Sequence, residues 1–517
     1  MLNKFLYKKI IKGFKDIKSK KNSNFLFNLI KNIQKIDYES YKVMKDESKF
    51  SNNIIYNQTI NNHLGQTRLN YAIYLFNSLG LNLIYPLNKL WIAELKLSDV
   101  KVNVLFSRIL FKIYLIYCFF HGLKTFFKIS KNISFKKKKH DYLESIYLSE
   151  IPDTWIDKNK LMLTPDWCTS NVNLQTKTIY HSSIKNKNIK SDYFKIKYCY
   201  SYFTEIYIND FYQFFFKSLK IFFLSLVSFL SGKDDLILLS KRLEKLFFLE
   251  NKISCKFKKL IFSNSNITNL PNISTLYSEN NIDVFFIPNS SNIITFEKYL
   301  FHNNSTNYFW DLFYFRKVIV LNKNFKEILM KHSRFLSEKN IYIINYISSI
   351  SKLFTGKLNN KYYVGIFNTQ CFKKYLFLLR GDYENYYKPE NLYNFYIKIL
   401  DHLLLNYSNK EIVIFIKEKR DLGKFHSCFE KNIYKTLKFK YPLLKLFIIK
   451  NVNILKLLNK LNYTISLPFT SPSIFSKHMN KKSIYFDPFD ELSLNDNFGS
   501  QGVEVINHKY LISNFII

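Results

Sequence analysis

The second half of this chain alternates short apolar strands with helices, and this alternation constrains the fold more than any other feature. Residues 362–367 and 411–416 are apolar on both faces, which is typical of strands in a parallel sheet covered on both sides. Helical patterns separate such strands, over 325–337, 389–407 and 452–461. The pattern predicts an α/β fold with a doubly wound, Rossmann-like domain in this half.

Three regions follow from the changes in pattern along the chain. Residues 1–60 are rich in Lys and Asn with apolar residues at helical spacing, which predicts a basic helical region. Residues 61–308 predict a helix-rich α/β domain. Residues 261–308 are dense in Ser and Asn and lead to a predicted strand at 317–321. We therefore place the start of the Rossmann-like domain at residue 309.

Two apolar stretches in the first half raise the question of a membrane. Residues 102–120 are nearly long enough to span a bilayer. However, the stretch contains Arg108 and Lys112, and placing their charges in the hydrocarbon core would cost considerable free energy. Residues 221–230 are too short to span. Both stretches predict buried or interfacial amphipathic helices. We expect a cytoplasmic protein, with peripheral attachment at the inner face of the cytoplasmic membrane as a further possibility.

The formal net charge of +38 leaves two function classes open. One is a basic RNA-binding or ribosomal protein, in which Lys would contact phosphate and Tyr and Phe would stack on bases. The other attributes the charge to A- and T-rich codons, since the chain has only two alanines, Ala72 and Ala93. The lysines are spread evenly and form no single basic-aromatic patch, which argues against the nucleic-acid class.

The six cysteines are scattered, with no C-x-x-C pair and no paired histidine spacing. This arrangement predicts neither a metal site nor a disulfide framework, and it suits a reducing cytoplasm.

A β–loop–α–β unit near the C-terminus concentrates hydroxyl groups at the start of a helix. Residues 463–467 predict a strand ended by Pro468, and residues 472–479 predict a helix capped by Thr470 or Ser471. A second strand follows at 483–486. Free N–H groups and the helix dipole attract anions at such a helix start, and ligands of open α/β sheets bind beyond the carboxyl ends of strands. The unit therefore predicts a phosphate site.

Two more loops follow predicted strands and can meet this unit at one edge of the sheet. Neither a G-x-G-x-x-G loop nor a Walker A motif occurs, so hydroxyl and cationic side chains would have to hold a phosphate. Each loop taken alone is compatible with an ordinary solvated turn. The candidate phosphate ligands are Lys417, Lys419, Arg420, Thr470, Ser471 and Ser473, and the candidate partners of ribose or sugar hydroxyls are Asn368 and Asp487.

Acidic residues are scarce in this chain, yet several gather between residues 141 and 166. Carboxylates can act as general bases, so Glu150, Asp153 and Asp166 are candidate catalytic residues. The competing interpretation is a solvated loop.

Two segments resemble the polysaccharide-biosynthesis family named for its PFTS motif: Leu467-Pro-Phe-Thr-Ser471 and Lys482-Ser-Ile-Tyr-Phe-Asp-Pro488. Residues 363–369 are similar to a strand of that family, with Asn368 where the family pattern has Asp. The resemblance implies a GT-B-like bacterial glycosyltransferase with two Rossmann-like halves.

The same resemblance implies a nucleotide-sugar donor bound by the C-terminal half, and a glycan or lipid-linked acceptor on the side of residues 61–308. It implies a role in capsule or lipopolysaccharide synthesis, and no cofactor besides the donor. The sequence contains no Asp-x-Asp motif, which agrees with a metal-independent GT-B mechanism. A non-catalytic membrane scaffold remains a third interpretation.

Overall fold

A computed structural model describes part of the chain, and all structural statements concern that part: residues 8–9, 12, 29, 32–33, 49–64, 66–131, 133–134, 145–149, 151–162, 178–181, 188–198, 206–250, 259–263, 283–288, 296, 313, 315, 317–333, 336–354, 361–369, 371, 385–407, 411–417, 429–450, 452–509 and 512. Most of the predicted basic region 1–60 lies outside these residues.

The helices and strands are numbered in chain order. The helices are α1 (Lys49–Leu64), α2 (Gln66–Ser78), α3 (Lys89–Leu97), α4 (Val104–Ser130), α5 (Ile208–Leu230), α6 (Leu239–Glu250), α7 (Lys323–His332), α8 (Tyr346–Ser351), α9 (Pro389–Tyr407), α10 (Phe429–Lys440), α11 (Ile454–Lys460) and α12 (Pro472–His478). The strands are β1 (Ile133–Ser134), β2 (Ser145–Leu148), β3 (Ile156–Asp157), β4 (Lys160–Leu161), β5 (Thr178–His181), β6 (Lys195–Tyr198), β7 (Ile206–Tyr207), β8 (Lys259–Phe262), β9 (Asp283–Phe286), β10 (Lys317–Val320), β11 (Ile341–Ile343), β12 (Tyr362–Phe367), β13 (Ile412–Lys417), β14 (Lys445–Ile449), β15 (Tyr463–Ser466), β16 (Lys482–Phe486) and β17 (Glu504–Ile506).

The C-terminal half contains a six-stranded parallel sheet with the order β14-β13-β12-β15-β16-β17. In chain order this is 3-2-1-4-5-6, the Rossmann arrangement, and it confirms the predicted doubly wound domain. The core is formed by strand residues such as Val364, Ile414 and Ile465 together with Ile399 and Leu403 of α9, all buried. The direction of the strand order reverses between β12 and β15, which marks the topological switch point.

The first half contains a seven-stranded parallel sheet with the order β11-β10-β9-β8-β2-β5-β6. When its strands are numbered in chain order from β2, their order in the sheet is 3-2-1-4-5-6-7. This is the order of the second sheet with β11 added as a seventh strand. The chain thus carries two Rossmann-like sheets, which is the architecture that the GT-B resemblance implies.

The strand predicted at 317–321 was assigned by sequence to the second sheet, and that assignment is wrong. β10 pairs with β9 and β11 of the first sheet, and the second sheet begins only at Tyr362. The boundary between the sheets therefore falls after Ile343, later than residue 309. The Ser- and Asn-dense stretch precedes β10 within the first unit, because it connects strands of one sheet instead of linking two domains.

Helices α1 to α6 form a helical layer of the first unit. Trp91, Leu115 and Phe247 belong to its buried core. The stretch predicted from residue 102 is the helix α4, and the stretch predicted from 221 is the last part of α5. By length and composition alone, residues 104–130 and 211–230 could each cross a membrane.

The two units share a hydrophobic core. Leu148, Trp155 and Leu321 of the first unit join Leu458 of α11 and Phe475 of α12 in one buried cluster. The C-terminal edge of the first sheet is therefore packed along two helices of the second unit, and this packing positions the two units for a site between them.

Candidate functional site

Four adjacent strands of the second sheet bring the predicted site loops to one edge. The register aligns Phe367, Ser466 and Tyr485 in one row across β12, β15 and β16. Lys417 ends β13 directly after Ile416, which pairs with Ile366 of β12. Phe367 and Ser466 flank the switch point, where parallel sheets bind ligands. The predicted convergence of the three loops at this edge is thus what the strand order produces.

The PFTS segment is a tight, buried turn. Phe469 has a φ of +70°, a left-handed conformation that costs a non-glycine residue energy and is held by its surroundings. The Thr470 hydroxyl donates to the carbonyl of Leu467 at 2.8 Å, and the Phe469 ring packs edge-on against the rings of Phe296 and Tyr386 at 5.1 Å. The motif therefore shapes the loop after β15.

Thr470 and Ser473 were predicted to contact phosphate, and the structure gives both hydroxyls internal partners. Both residues are almost completely buried. The Ser473 hydroxyl donates to the carbonyl of Ile484 at 2.8 Å, which ties the first turn of α12 to β16. We reassign the two residues as supports of the loop, because each hydroxyl already donates its single proton to a backbone carbonyl.

The helix start is also a weaker anion site than the sequence predicts. α12 has seven residues, and Pro472 at its start removes one N–H donor. Ser471 occupies the N-cap position in a helical conformation, and its side chain makes no capping hydrogen bond. Ser471 is thus the N-cap residue and Pro472 begins the helix, as predicted, but the capping hydrogen bond expected from the Ser471 hydroxyl is absent. Ser471 remains the half-buried PFTS hydroxyl residue at this edge.

Asp487 organises a loop of its own. It is fully buried, and its carboxylate accepts hydrogen bonds from the Tyr386 hydroxyl at 2.8 Å and from the backbone N–H groups of Phe489, Glu491 and Leu492 at 2.8–3.1 Å. Burial raises the pKa of Asp487, and these bonds oppose that rise. Its predicted contact with sugar hydroxyls is corrected to this internal role, because all four donors lie within the chain.

The residues beside the switch point include two, Tyr386 and Ser466, that the sequence did not single out. Tyr386 links two loops, because its carbonyl accepts from the Thr369 hydroxyl while its own hydroxyl donates to Asp487. Ser466 is fully buried, and its hydroxyl has no hydrogen-bond partner within the described part of the chain. The alternation Tyr-Thr-Ile-Ser in β15 places both hydroxyls on one face, and this signal could have identified Ser466.

Asn368 lies next to Ser466 at the end of β12, as predicted, and is buried with its amide N–H 3.5 Å from the Tyr434 hydroxyl. Lys417 ends β13 and is half-buried. The other two predicted cations, Lys419 and Arg420, lie outside the described residues. The switch point is thus bordered by an amide, a hydroxyl and an ammonium group.

The predicted acidic segment meets the second unit near this edge. Asp153 is exposed and follows β2 at the C-terminal edge of the first sheet. The Asn453 amide, after β14, donates to the carbonyls of Asp153, Thr154 and Ile156 at 2.7–3.2 Å. The C-terminal edges of the two sheets therefore meet here. The candidates Glu150 and Asp166 lie outside the described residues.

A second polar contact joins the units at the other end of α12. The Asn322 amide N–H donates to the ring Nε2 of His478 at 3.1 Å, and the His478 carbonyl accepts from the Asn345 amide at 3.0 Å. Burial, helped by the neighbouring Lys477 charge, lowers the pKa of His478 to about 4. The neutral imidazole is therefore part of the contact at physiological pH. Within the described residues, no group of three or more His, Cys, Asp or Glu could hold a metal ion.

Comparison with known protein families gives a match over the second part of the chain. The family model described as "Polysaccharide biosynthesis PFTS motif protein" matches residues 228–515, more than half of the 517 residues. No curated protein sequence matches the chain significantly.

Solved structures show weak likeness. HepE from Anabaena, in complex with UDP and glucose, is 8% identical with a TM-score of 0.35, over 72% of this chain and 89% of that chain. The wall teichoic acid polymerase TagF is 10% identical with a TM-score of 0.35, over 78% and 87%. A TagF structure soaked with CDPG has a TM-score of 0.33 at 10% identity, over 72% and 79%. Similarities this weak carry no conclusion about donor, acceptor or mechanism.

Proposed function

Since the chain belongs to the polysaccharide biosynthesis PFTS motif family, we propose that it is a glycosyltransferase that moves a sugar from a nucleotide-activated donor to a surface glycan or a lipid-linked acceptor. The observation that carries the proposal is the position of the family motif. The PFTS turn lies at the switch point of a Rossmann-ordered sheet, where such sheets bind nucleotides.

The donor would lie across β12, β13 and β15. Lys417 would neutralise the donor phosphates, and Ser466 and Asn368 would contribute hydrogen bonds to the nucleotide or its sugar. Lys419 and Arg420 follow Lys417 directly and remain candidates for the same phosphates. The PFTS turn would supply the shape of this pocket instead of its hydroxyl ligands.

The acceptor would enter from the first unit. In the transfer step, an acceptor hydroxyl oxygen bonds to the anomeric carbon while the bond from that carbon to the donor phosphate oxygen breaks. The proton passes from the hydroxyl to a carboxylate, and the nucleotide leaves with the electron pair of the broken bond. Of the three candidate bases, Asp153 is the one that lies within the described residues. Its segment meets the second unit at the edge where the donor would lie.

Charge on the leaving phosphate would be stabilised by the cations that follow β13. We propose that the reaction needs no metal, since the sequence lacks an Asp-x-Asp motif. A cytoplasmic position at the inner face of the membrane would give the enzyme access to both a soluble donor and a lipid-linked acceptor.

A ligand-melting screen tests the donor site. CMP-, UDP- and GDP-sugars, and a structured RNA as the rival ligand, are each added to the full chain. We expect one nucleotide-sugar class to raise the Tm and RNA to leave it unchanged. Lys417→Ala should weaken the apparent affinity for that nucleotide sugar by about tenfold, because a charge-assisted contact is lost. The rise in Tm should be smaller accordingly.

The matched control is Lys445→Ala. Lys445 is an exposed lysine at the amino-terminal end of β14, opposite the strand ends that form the proposed site, and it pairs with Glu411. This variant should keep the full ligand shift. If no nucleotide sugar raises the Tm, if RNA does so instead, or if the two variants behave alike, the proposed donor site is wrong. Asp153→Asn should bind the donor normally and lose transfer of the sugar to an acceptor.

A further inference from the structure

The two long helices α4 and α5 form an antiparallel pair. The Lys112 ammonium lies over the Phe229 ring at 4.9 Å, whereas the Phe126 ring stacks on the Phe214 ring at 5.8 Å. Early residues of α4 thus contact late residues of α5, and the reverse holds at the other end. The pair presents a common surface on each of its two broad sides.

The inner side of the pair is packed against α6. A Cβ atom added to Gly122 would lie 2.6 Å from the Leu239 side chain, and the hydroxyls of Thr125 and Ser240 lie 2.8 Å apart. The Phe214 ring also packs edge-on against the ring of Phe247. This side is fully occupied by the protein.

The outer side carries large apolar side chains at seven-residue spacing, which places them on one face of each helix. Each of these side chains is between 54% and 81% exposed to solvent. They are Phe106, Ile113 and Phe120 on α4 and Phe216, Phe223 and Leu230 on α5. A contiguous exposed apolar surface of this kind marks an interaction site.

Within residues 104–130 and 211–230, the charged side chains of the two helices all have one sign. Residues 104–130 contain Arg108, Lys112, Lys124 and Lys128 and no acidic residue, and residues 211–230 contain Lys217 and Lys220 and no acidic residue. The antiparallel pairing brings Lys124 and Lys128 to the same end as Lys217. An apolar face on two helices whose own charges over these spans are basic is complementary to lipid tails beneath anionic phosphate headgroups.

The packing of α6 argues for a position in the membrane plane instead of across it. α6 carries Lys241, Arg242, Glu244 and Lys245 and contacts the inner side of the pair. Arg242 is buried and pairs with Asp235 at 3.1 Å. If the pair crossed the bilayer, this charged helix would be drawn into the hydrocarbon at a high cost.

We propose that the outer face of α4 and α5, defined by Phe106, Ile113, Phe120, Phe216, Phe223 and Leu230, inserts in the plane of an anionic phospholipid bilayer. The apolar side chains enter the acyl region, and the lysines stay at the level of the phosphates. The surface goes beyond the glycosyltransferase proposal and shares no residue with the donor site, so either can fail without the other.

Vesicle flotation tests this surface. The full chain is mixed with vesicles of phosphatidylcholine alone or with phosphatidylglycerol added. We expect the chain to float with the anionic vesicles and about tenfold less with the neutral ones. The double variant Ile113→Glu with Phe223→Glu should reduce flotation with anionic vesicles by about tenfold or more. Lys217→Glu with Lys220→Glu should remove most of the preference for anionic lipid.

The control variant Phe439→Glu with Leu443→Glu changes two apolar residues of the second unit that are 89% and 83% exposed, and it should float like the unchanged chain. Circular dichroism and Tm check that each variant is folded, which we expect because all four apolar positions are exposed. Lack of flotation, or equal effects of the two apolar variants, would overturn the proposal.

Two further results would replace the lipid with another interpretation. Loss of a dimer on gel filtration in the Ile113→Glu, Phe223→Glu variant, without vesicle binding, would make a second copy of the chain the occupant. Resistance of membrane-bound protein to carbonate extraction, with α4 protected from protease, would indicate a spanning pair. Release by carbonate is the result that the in-plane position predicts.

Discussion

Replacing Asp487 by asparagine tests how the loop after β16 is held. The carboxylate accepts two hydrogen bonds on each oxygen: Tyr386 and Phe489 on Oδ1, and Glu491 and Leu492 on Oδ2. An asparagine amide offers one accepting oxygen, so two of the four donors lose their acceptor whichever way the amide turns. Each buried donor left without a partner costs about 1–3 kcal/mol. We therefore expect the free energy of unfolding to fall by about 4 kcal/mol.

Thermal or urea unfolding followed by tyrosine fluorescence measures this loss. A cost of about 4 kcal/mol in a unit of this size corresponds to a Tm lower by about 10 °C. The matched control is Asp490→Asn, three residues away and exposed, where asparagine suits the positive φ of +54°. It should change stability by less than about 0.5 kcal/mol. A loss below about 1 kcal/mol for Asp487→Asn, or equal losses in both variants, would refute the reasoning.

Thr470→Val keeps the shape of the side chain but removes the hydroxyl that donates to Leu467, so we expect a loss of about 1–2 kcal/mol in urea unfolding; an unchanged midpoint would contradict the role given to the PFTS turn. His478 has its pKa lowered to about 4 from its usual 6.5, so the unfolded chain takes up its proton first as the pH falls. Stability should therefore be complete above about pH 6.5 and fall by about 2–3 kcal/mol by pH 4.5. His478→Gln should flatten this dependence, and an equally steep profile in that variant would exclude His478 as its source.

The second sheet could be predicted from the sequence because burial on both faces leaves a direct signal. Residues 412–416 and 362–367 are apolar on consecutive positions, which neither an exposed helix nor a loop tolerates. The helix 389–407 was predicted with its observed limits, since Pro389 fixes its start. Strand order follows no such local signal, yet the right-handed crossover rule limits it strongly.

The first sheet could be predicted only in part. β5 and β6 have four residues each, with lysines and tyrosines among them, and such short polar runs resemble loops. The pairing of β10 with β9 depends on contacts between segments that are distant in sequence, so composition alone placed the boundary at the wrong side of β10 and β11. Short strands take their stability from tertiary packing, which a local pattern does not encode.

The candidate site, like the fold, could be predicted from the sequence only in part. The sequence located the loops that meet at the switch point, because strand ends follow from strand positions. It did not give the direction of each side chain. Thr470, Ser473 and Asp487 are polar residues at a predicted ligand edge, yet their bonds to Leu467 and Ile484 and within the 487–492 loop point inward. A hydroxyl that closes a turn and one that binds a phosphate look alike in sequence.

Hydrogen exchange with and without a nucleotide sugar tests the central claim most directly. Saturating donor, chosen as the nucleotide-sugar class that raises the Tm most, should slow exchange at the backbone amides of residues 366–369 and 466–471, which border the switch point. Amides of β17, which lies two strands away from β15 in the same sheet, should exchange as before. Protection confined to the helical layer of the first unit, or no protection at the switch point, would contradict the assignment of the donor site.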